Sequence, residues 1–218
     1  MKIKWYGHSA FQITTEKGIR IIIDPYESGS FGGTLSYGKI EDEADIVMTS
    51  HDHADHNYIK DITGKYNHVS KAGDYEIKDI KIKAIPSFHD SIGGKKGGSN
   101  LIFVITADGL NLVHMGDIGH SLDSELLKKI GKVDILLLPV GGFFTIDAAM
   151  AQKIMNDIKP SVTVPMHYKT AKCNFPITPV DVFTKNQTNV RMLKESSVVI
   201  KKETLPKEPE IIVLQHAR

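Results

Sequence analysis

The chain has 218 residues, 41% of them apolar, enough for a substantial core in one large domain or two small ones. A formal net charge of +1 makes no electrostatic case for nucleic acid or an anionic membrane as partner, and without a run of about 18 apolar residues no membrane span is expected. Cys173 is the only cysteine and the N-terminus lacks the apolar stretch of a signal peptide, which together point to a reducing cytoplasm.

Short strand candidates dominate the first half. Ile3 to Tyr6, Ala10 to Thr14 and Ile19 to Ile23 are separated by the turn signals Gly7-His8-Ser9 and Glu16-Lys17-Gly18, and read as an antiparallel meander. Ser28 to Gly38, rich in Gly and Ser, reads as a long loop of the kind that lies over a site. A buried strand from Asp45 to Thr49 follows, then a helix starting at Asp52 or Ala54 and ending near Gly64. Tyr75 to Ile77 and Ile80 to Ile85 are strands, the second stopped by Pro86. The tract Gly93 to Gly98 is a mobile loop, and Leu101 to Thr106 with Leu110 to Met115 forms a hairpin across Asp108-Gly109. Ser121 to Ile130 reads as helix, and Val133 to Leu138 as a strand covered on both faces. A helix from Asp147 to Ile158 has Thr145 or Asp147 as N-cap and buries an apolar stripe. The strand Val162 to Val164, a helix from Pro179 to Lys185 and strands near Val190 to Leu193, Val198 to Lys201 and Ile211 to Leu214 close the chain. Two strand-rich blocks, each with helices, suggest two sheets face to face with helices outside.

The densest chemistry is Thr49-Ser50-His51-Asp52-His53-Ala54-Asp55-His56. Three imidazoles and two carboxylates fall within six residues, a concentration that is costly unless a cation binds it. Period-two alternation puts His51 and His53 on one side of a strand end. The expected helix start swings Asp55 and His56 to the other side, so two ligand pairs face one another, as two metal ions require. His89, Asp117 and His167 each follow a predicted strand, and in a layered fold such ends gather along one edge. Four strand ends thus supply seven candidate ligands. Imidazoles with a few carboxylates suit two divalent ions, zinc by default, with manganese or iron as alternatives. Such ions lower the pKa of bound water towards about 7, giving a hydroxide that attacks a carbonyl or phosphorus centre. Asp55 is the candidate catalytic carboxylate, placed to orient the nucleophile or pass a proton to the leaving group.

The order His51-x-His53-x-Asp55-His56, His89, Asp117, His167 resembles the metallo-β-lactamase superfamily over nearly the whole chain. The opening Trp5-Tyr6-Gly7-His8-Ser9-Ala10-Phe11 and the closing Pro165-Met166-His167-Tyr168 are most similar to its branch of metal-dependent hydrolases that includes ascorbate 6-phosphate lactonase. The resemblance implies an α/β fold, the four-layer αβ/βα sandwich with two mixed β-sheets and helices outside, as one domain over residues 1–218. It also implies that His51, His53 and His89 hold a first metal, that Asp55, His56 and His167 hold a second, and that Asp117 bridges both. No ligand position is substituted.

Other residues leave alternatives open. Asp24 either orients a histidine ligand or caps the turn before Pro25. His8 faces the metals or substrate, or satisfies backbone groups in its turn, and His120 lines the pocket or starts a helix. Lys169 reads as surface, with a substrate-anion role as the alternative; His114 reads as core, His68 and His216 as surface, and Cys173 as packing. The glycine-rich tract lacks the Gly-Lys-Ser/Thr ending of a phosphate loop. The chain therefore reads as a cytoplasmic hydrolase that cleaves an ester, lactone or phosphoester of a small molecule, oligomeric state open. A nuclease of the same superfamily is disfavoured by the near-neutral charge and the lack of an obvious inserted nucleic-acid domain. A di-iron redox protein is disfavoured because flavin-linked members of the fold carry a carboxylate where His53 stands and an added domain. A non-catalytic metal-binding sensor or scaffold is disfavoured by the intact ligand set.

Overall fold

A computed structural model describes all of residues 1–218 as two β-sheets packed face to face. The first sheet has six strands in the order β13 (Ser197–Val199), β1 (Lys2–Gly7), β2 (Ala10–Thr14), β3 (Arg20–Ile23), β4 (Ile46–Met48) and β5 (Asn67–Val69). The expected meander β1–β2–β3 is antiparallel, and β4 and β5 add in parallel to β3. The second sheet has eight strands: β12 (Val190–Met192), β14 (Glu210–Val213), β11 (Val162–Met166), β10 (Ile135–Pro139), β9 (Leu110–His114), β8 (Ser99–Ala107), β7 (Ile80–Phe88) and β6 (Gly73–Ile77). Its β6–β9 half is antiparallel, and its β9–β12 half parallel.

Alternation along the strands builds the core. Trp5, Phe11, Ile13, Ile21 and Ile23 point between the sheets and meet Phe103, Ile105 and Leu112. Burial of these side chains is the dominant stabilising contribution. The continuous apolar run Ile135 to Leu138 is buried on both faces, as its lack of alternation indicates. Outside it lies helix α3 (Ala148–Ile158), after α1 (Ser30–Gly33) and α2 (Ser124–Ile130) and before α4 (Asp181–Thr184). Ala151 and Ile154 are the buried face of α3, and the Asp147 carboxylate caps it by accepting from Met150 N–H at 2.8 Å. The outer face of the six-stranded sheet is covered differently. Tyr6, Ile22 and Val47 pack under Tyr26, Leu35, Tyr37, Ile40 and Phe175, which arrive from irregular segments.

Three sequence expectations change. No helix forms between Asp52 and Gly64 beyond a single turn in which Asn57 N–H donates to His53 O at 3.0 Å. The neighbouring segment takes over the backbone groups a longer helix needs: Glu27 N–H donates to Ala54 O and Tyr58 N–H to Pro25 O, both at 2.8 Å. Strand β7 runs through Pro86 to Phe88, because β6 ends opposite Ala84 and the missing N–H of Pro86 faces no partner strand. The glycine-rich tract is pinned: the Asp90 carboxylate accepts from the backbone N–H groups of Ile92, Gly94, Lys96 and Gly97 at 2.7–2.9 Å. The loop after Ser28 contains the short turn α1. No helix is long and apolar enough to cross a membrane.

Candidate metal centre

Six strands end along one edge of the sandwich, and each delivers a polar side chain there. From the first sheet come His8 after β1, Asp24 after β3, and His51, His53, Asp55 and His56 after β4. From the second come His89 after β7, Asp117 after β9 and His167 after β11. His8, Asp24 and His167 take left-handed backbone conformations with φ of 52°, 47° and 51°. Asp and His are among the few residue types found there, and such backbone clusters at functional sites.

The structure brings all seven predicted ligands together. The donor atoms of His51, His53 and His89 lie within 4.8 Å of one another, and so do those of His8, Asp55, His56 and His167. Asp117 Oδ2 sits between the two groups, 3.1 Å from His56 Nε2, 3.1 Å from His89 Nε2, 3.3 Å from His167 Nε2 and 4.0 Å from His51 Nε2. His8, fully buried, joins through Nε2, which donates to Asp55 Oδ2 at 3.0 Å.

Asp24 orients two of the imidazoles. Its carboxylate accepts from Ser50 N–H at 2.7 Å, Ser50 O–H at 2.6 Å and His56 Nδ1–H at 2.9 Å. Ser50 Oγ, having donated to Asp24, accepts from His51 Nδ1–H at 2.9 Å. This network assigns the ring protons to Nδ1 and aims the Nε2 lone pairs of His51 and His56 at an ionised carboxylate. Lone pair against carboxylate is repulsive without a cation between them. The same two Nε2 atoms and Asp117 Oδ1 are buried without a hydrogen-bond partner. The residues present therefore fit a divalent metal, and the outward hydrogen bonds are those that orient metal-binding histidines.

Without a cation, charge on the imidazoles offsets the carboxylates instead. Burial would raise the Asp117 carboxyl, but His167 and His56 hold it well below the usual carboxylate range. Burial likewise opposes charge on Asp24 and Asp55, and His56 keeps both lowered. Burial also opposes charge on His56, yet Asp117 and Asp55 hold it well above its ordinary value. Burial pushes His51 down to about 3, and pushes His8 down to about 4 with His167 adding to the effect.

The remaining candidates sort by contact. His120 neither lines the pocket nor starts a helix; its Nε2 accepts from Phe88 N–H at 3.2 Å and steadies the end of β7. His114 is a core residue that donates through Nε2 to Ser9 O at 2.9 Å while Nδ1 accepts from Gly116 N–H. Lys169 and His68 are exposed and Cys173 is buried in packing. His216 is half-buried against Trp5 and Tyr37 rather than on the surface. Sequence reasoning misses Asn100, whose Oδ1 accepts from Asp117 N–H at 2.9 Å and whose Nδ2 donates to Ser87 Oγ and Met115 O. Its one signal is a polar residue opening an apolar strand. Gly116 fits only without a side chain: φ is +54°, and a Cβ would lie 2.2 Å from Asn100 Oδ1. The phenylalanine rims of the cavity carried no sequence signal beyond Gly141-Gly142-Phe143-Phe144 after a buried strand.

Residues 2–167 match the family described as the Beta-lactamase superfamily domain. A UPF0173 metal-dependent hydrolase from Carboxydothermus hydrogenoformans is 31% identical over 208 residues, covering 84% of this chain and 89% of the relative. Another from Thermococcus onnurineus is 32% identical over 195 residues, covering 78% and 85%. A Thermotoga maritima structure assigned to the Zn-dependent hydrolases of the metallo-beta-lactamase superfamily superimposes with a TM-score of 0.81 at 30% identity, over 98% of this chain and 97% of that one. Fold and relatives together define a metal-dependent hydrolase. The chain belongs to the metallo-β-lactamase superfamily, among the UPF0173 metal-dependent hydrolases.

Proposed function

We propose that residues 1–218 act as one hydrolase domain that holds two divalent ions, zinc by default with manganese or iron as alternatives, and cleaves an ester, lactone or phosphoester of a small molecule. The observation that carries this reading is Asp117 Oδ2 within 3.1–3.3 Å of three imidazole Nε2 atoms. His51, His53 and His89 would hold one ion, Asp55, His56 and His167 the other, and Asp117 both. Ions bound there would supply Lewis acidity, which lowers the pKa of water towards about 7 and stabilises charge on oxygen. Asp55 orients the nucleophile or passes a proton to the leaving group, and His8 fixes that carboxylate through its 3.0 Å hydrogen bond. Asp24 and Ser50 keep His56 and His51 in the tautomer that binds a cation. A lone, buried cysteine is in keeping with a reducing cytoplasm.

Elemental analysis of the purified protein, paired with a panel of lactone, thioester and phosphodiester substrates, tests the reading. The expected result is two transition-metal ions per chain and activity that chelation abolishes and zinc or manganese restores. One ion or none, with no activity after restoration, refutes it.

A further inference from the structure

The cavity above the donors has a volume of about 800 Å³, room for a drug-sized ligand rather than for water and one reacting bond. Its walls differ in kind. Beside the cluster of His8, Asp55, His56 and His167 stands a series of phenyl rings. Phe175 lies 5.8 Å from the His8 ring, 5.2 Å from Phe31 and 5.5 Å from Phe144, and Phe143 lies 4.7 Å from Phe144. Phe31, Phe143 and Phe144 are 51%, 74% and 40% exposed, and all three line the cavity. On the side of His89 the wall is the loop gathered by Asp90, and it carries Lys96, the only lysine or arginine lining the cavity. The Asp90 carboxylate accepts from backbone N–H groups and forms no ion pair with the Lys96 ammonium.

The aromatic wall is built into the donor scaffold. Val140 N–H donates to Met166 O at 3.1 Å and Thr178 N–H to Gly141 O at 2.8 Å. A Cβ on Gly141 would lie 2.2 Å from His167 O, so the turn after β10 is seated directly on a donor residue. Phe143 follows with φ of 64°, a conformation aromatic residues rarely adopt. Apolar surface exposed this way on two separate chain segments, with the buried Phe175 of a third packed against both, marks a binding face.

We propose that the site takes an amphiphilic ester whose acyl group, of medium length or aromatic bulk, lies on Phe31, Phe143, Phe144 and Phe175, and whose leaving alcohol carries an anion that meets Lys96. This rests on the hydrolase reading above and narrows its substrate class. Water oxygen adds to the acyl carbon, the acyl C–O bond breaks, and the products are a carboxylate, the free alcohol and one proton.

The test uses the full-length protein loaded with zinc and four esters: 4-acetoxybenzoate, 4-octanoyloxybenzoate, phenyl acetate and phenyl octanoate. The expected octanoyl-over-acetyl ratio of kcat/KM is about tenfold or more, and F143A/F144A brings it towards unity. F143S alone, at the most exposed ring, moves it in the same direction. K96A reduces the preference for the benzoate leaving group by about threefold at low salt, and K96R retains it. A ratio unchanged in both phenylalanine variants overturns the proposal, as does a benzoate preference unchanged in K96A. Calorimetry of octanoate against butyrate on the zinc-loaded protein reads the wall without turnover. Octanoate binding no tighter than butyrate, or undiminished in F143A/F144A, refutes the wall even where esters are cleaved. Retained octanoate discrimination with no ester, lactone or phosphodiester cleaved supports the apolar subsite and counts against the hydrolase reading.

Discussion

Replacing Asp24 with Asn removes one charge and no heavy atom. Asn tolerates the left-handed backbone found there, φ of 47°, so the turn itself survives. The carboxylate accepts three hydrogen bonds, from Ser50 N–H, Ser50 O–H and His56 Nδ1–H. An amide whose oxygen keeps the Ser50 N–H bond turns its NH2 towards Ser50 Oγ and His56 Nδ1. To meet a donor, His56 must move its proton to Nε2, where the lone pair faces Asp117 Oδ2 at 3.1 Å. The opposite amide orientation sets NH2 against Ser50 N–H. Either way a charged hydrogen bond is lost, worth about 1.5–3 kcal/mol. Loss of such an orienting carboxylate weakens a metal site by roughly 10–100-fold. Zinc titration against a chelating indicator measures this, with urea unfolding of the metal-free protein as the control for stability. Zinc affinity unchanged in D24N refutes the tautomer argument.

Asp55→Asn should cut turnover by about 10²-fold or more; unchanged turnover at full metal content counts against its proton role. Burial opposes charge on His56 and His89, but Asp117 raises both above the ordinary 6.5. Their protons stabilise the metal-free fold below that unfolded value, and the contribution is lost as pH climbs through the folded values. Each proton must leave before a cation binds, so zinc affinity rises with pH above 6.5; indicator titrations at stepped pH showing no dependence would sink this. Gly116→Ala sets a Cβ 2.2 Å from Asn100 Oδ1 at positive φ, and should cost more than about 1 kcal/mol in urea unfolding while weakening zinc binding. Equal stability would show that Asn100 yields freely. Backbone N–H groups, that of Gly97 foremost, hold the Asp90 carboxyl well below the usual range. Asp90→Asn should therefore speed hydrogen exchange at Lys96 and Gly97, and unaltered exchange would mean that other contacts order the loop.

The positions His51 to His56, His89, Asp117 and His167 were legible because each follows an apolar run that alternation or length marks as a strand. Strand ends of like direction reach the same edge without any knowledge of packing. His8 and Asp24 remained ambiguous for a local reason: what aims them is positive φ, and nothing in Gly7-His8-Ser9 or Asp24-Pro25 distinguishes that from an ordinary turn. The helix after Asp52 was misread because Pro25 and Glu27, distant in sequence, take its backbone groups. Propensity sees local spacing and is blind to such competition. Strand β5 escaped notice because three residues carry too little periodicity. The Gly93 to Gly98 tract looks mobile by composition, yet one carboxylate upstream gathers its N–H groups. The aromatic wall is a property of three segments meeting, which no window of sequence contains.

The donors are divided between the two sheets: His8, His51, His53, Asp55 and His56 hang from the six-stranded one, His89, Asp117 and His167 from the other. A cation gripped from both sides is a gauge of the gap between them. Thinning the interior at Phe103, a core residue that carries no donor, is expected to let that gap change, and zinc titration of F103A would read it as altered affinity. On the proposed site, the packing between the sheets and the spacing of the cation's donors are one mechanical property.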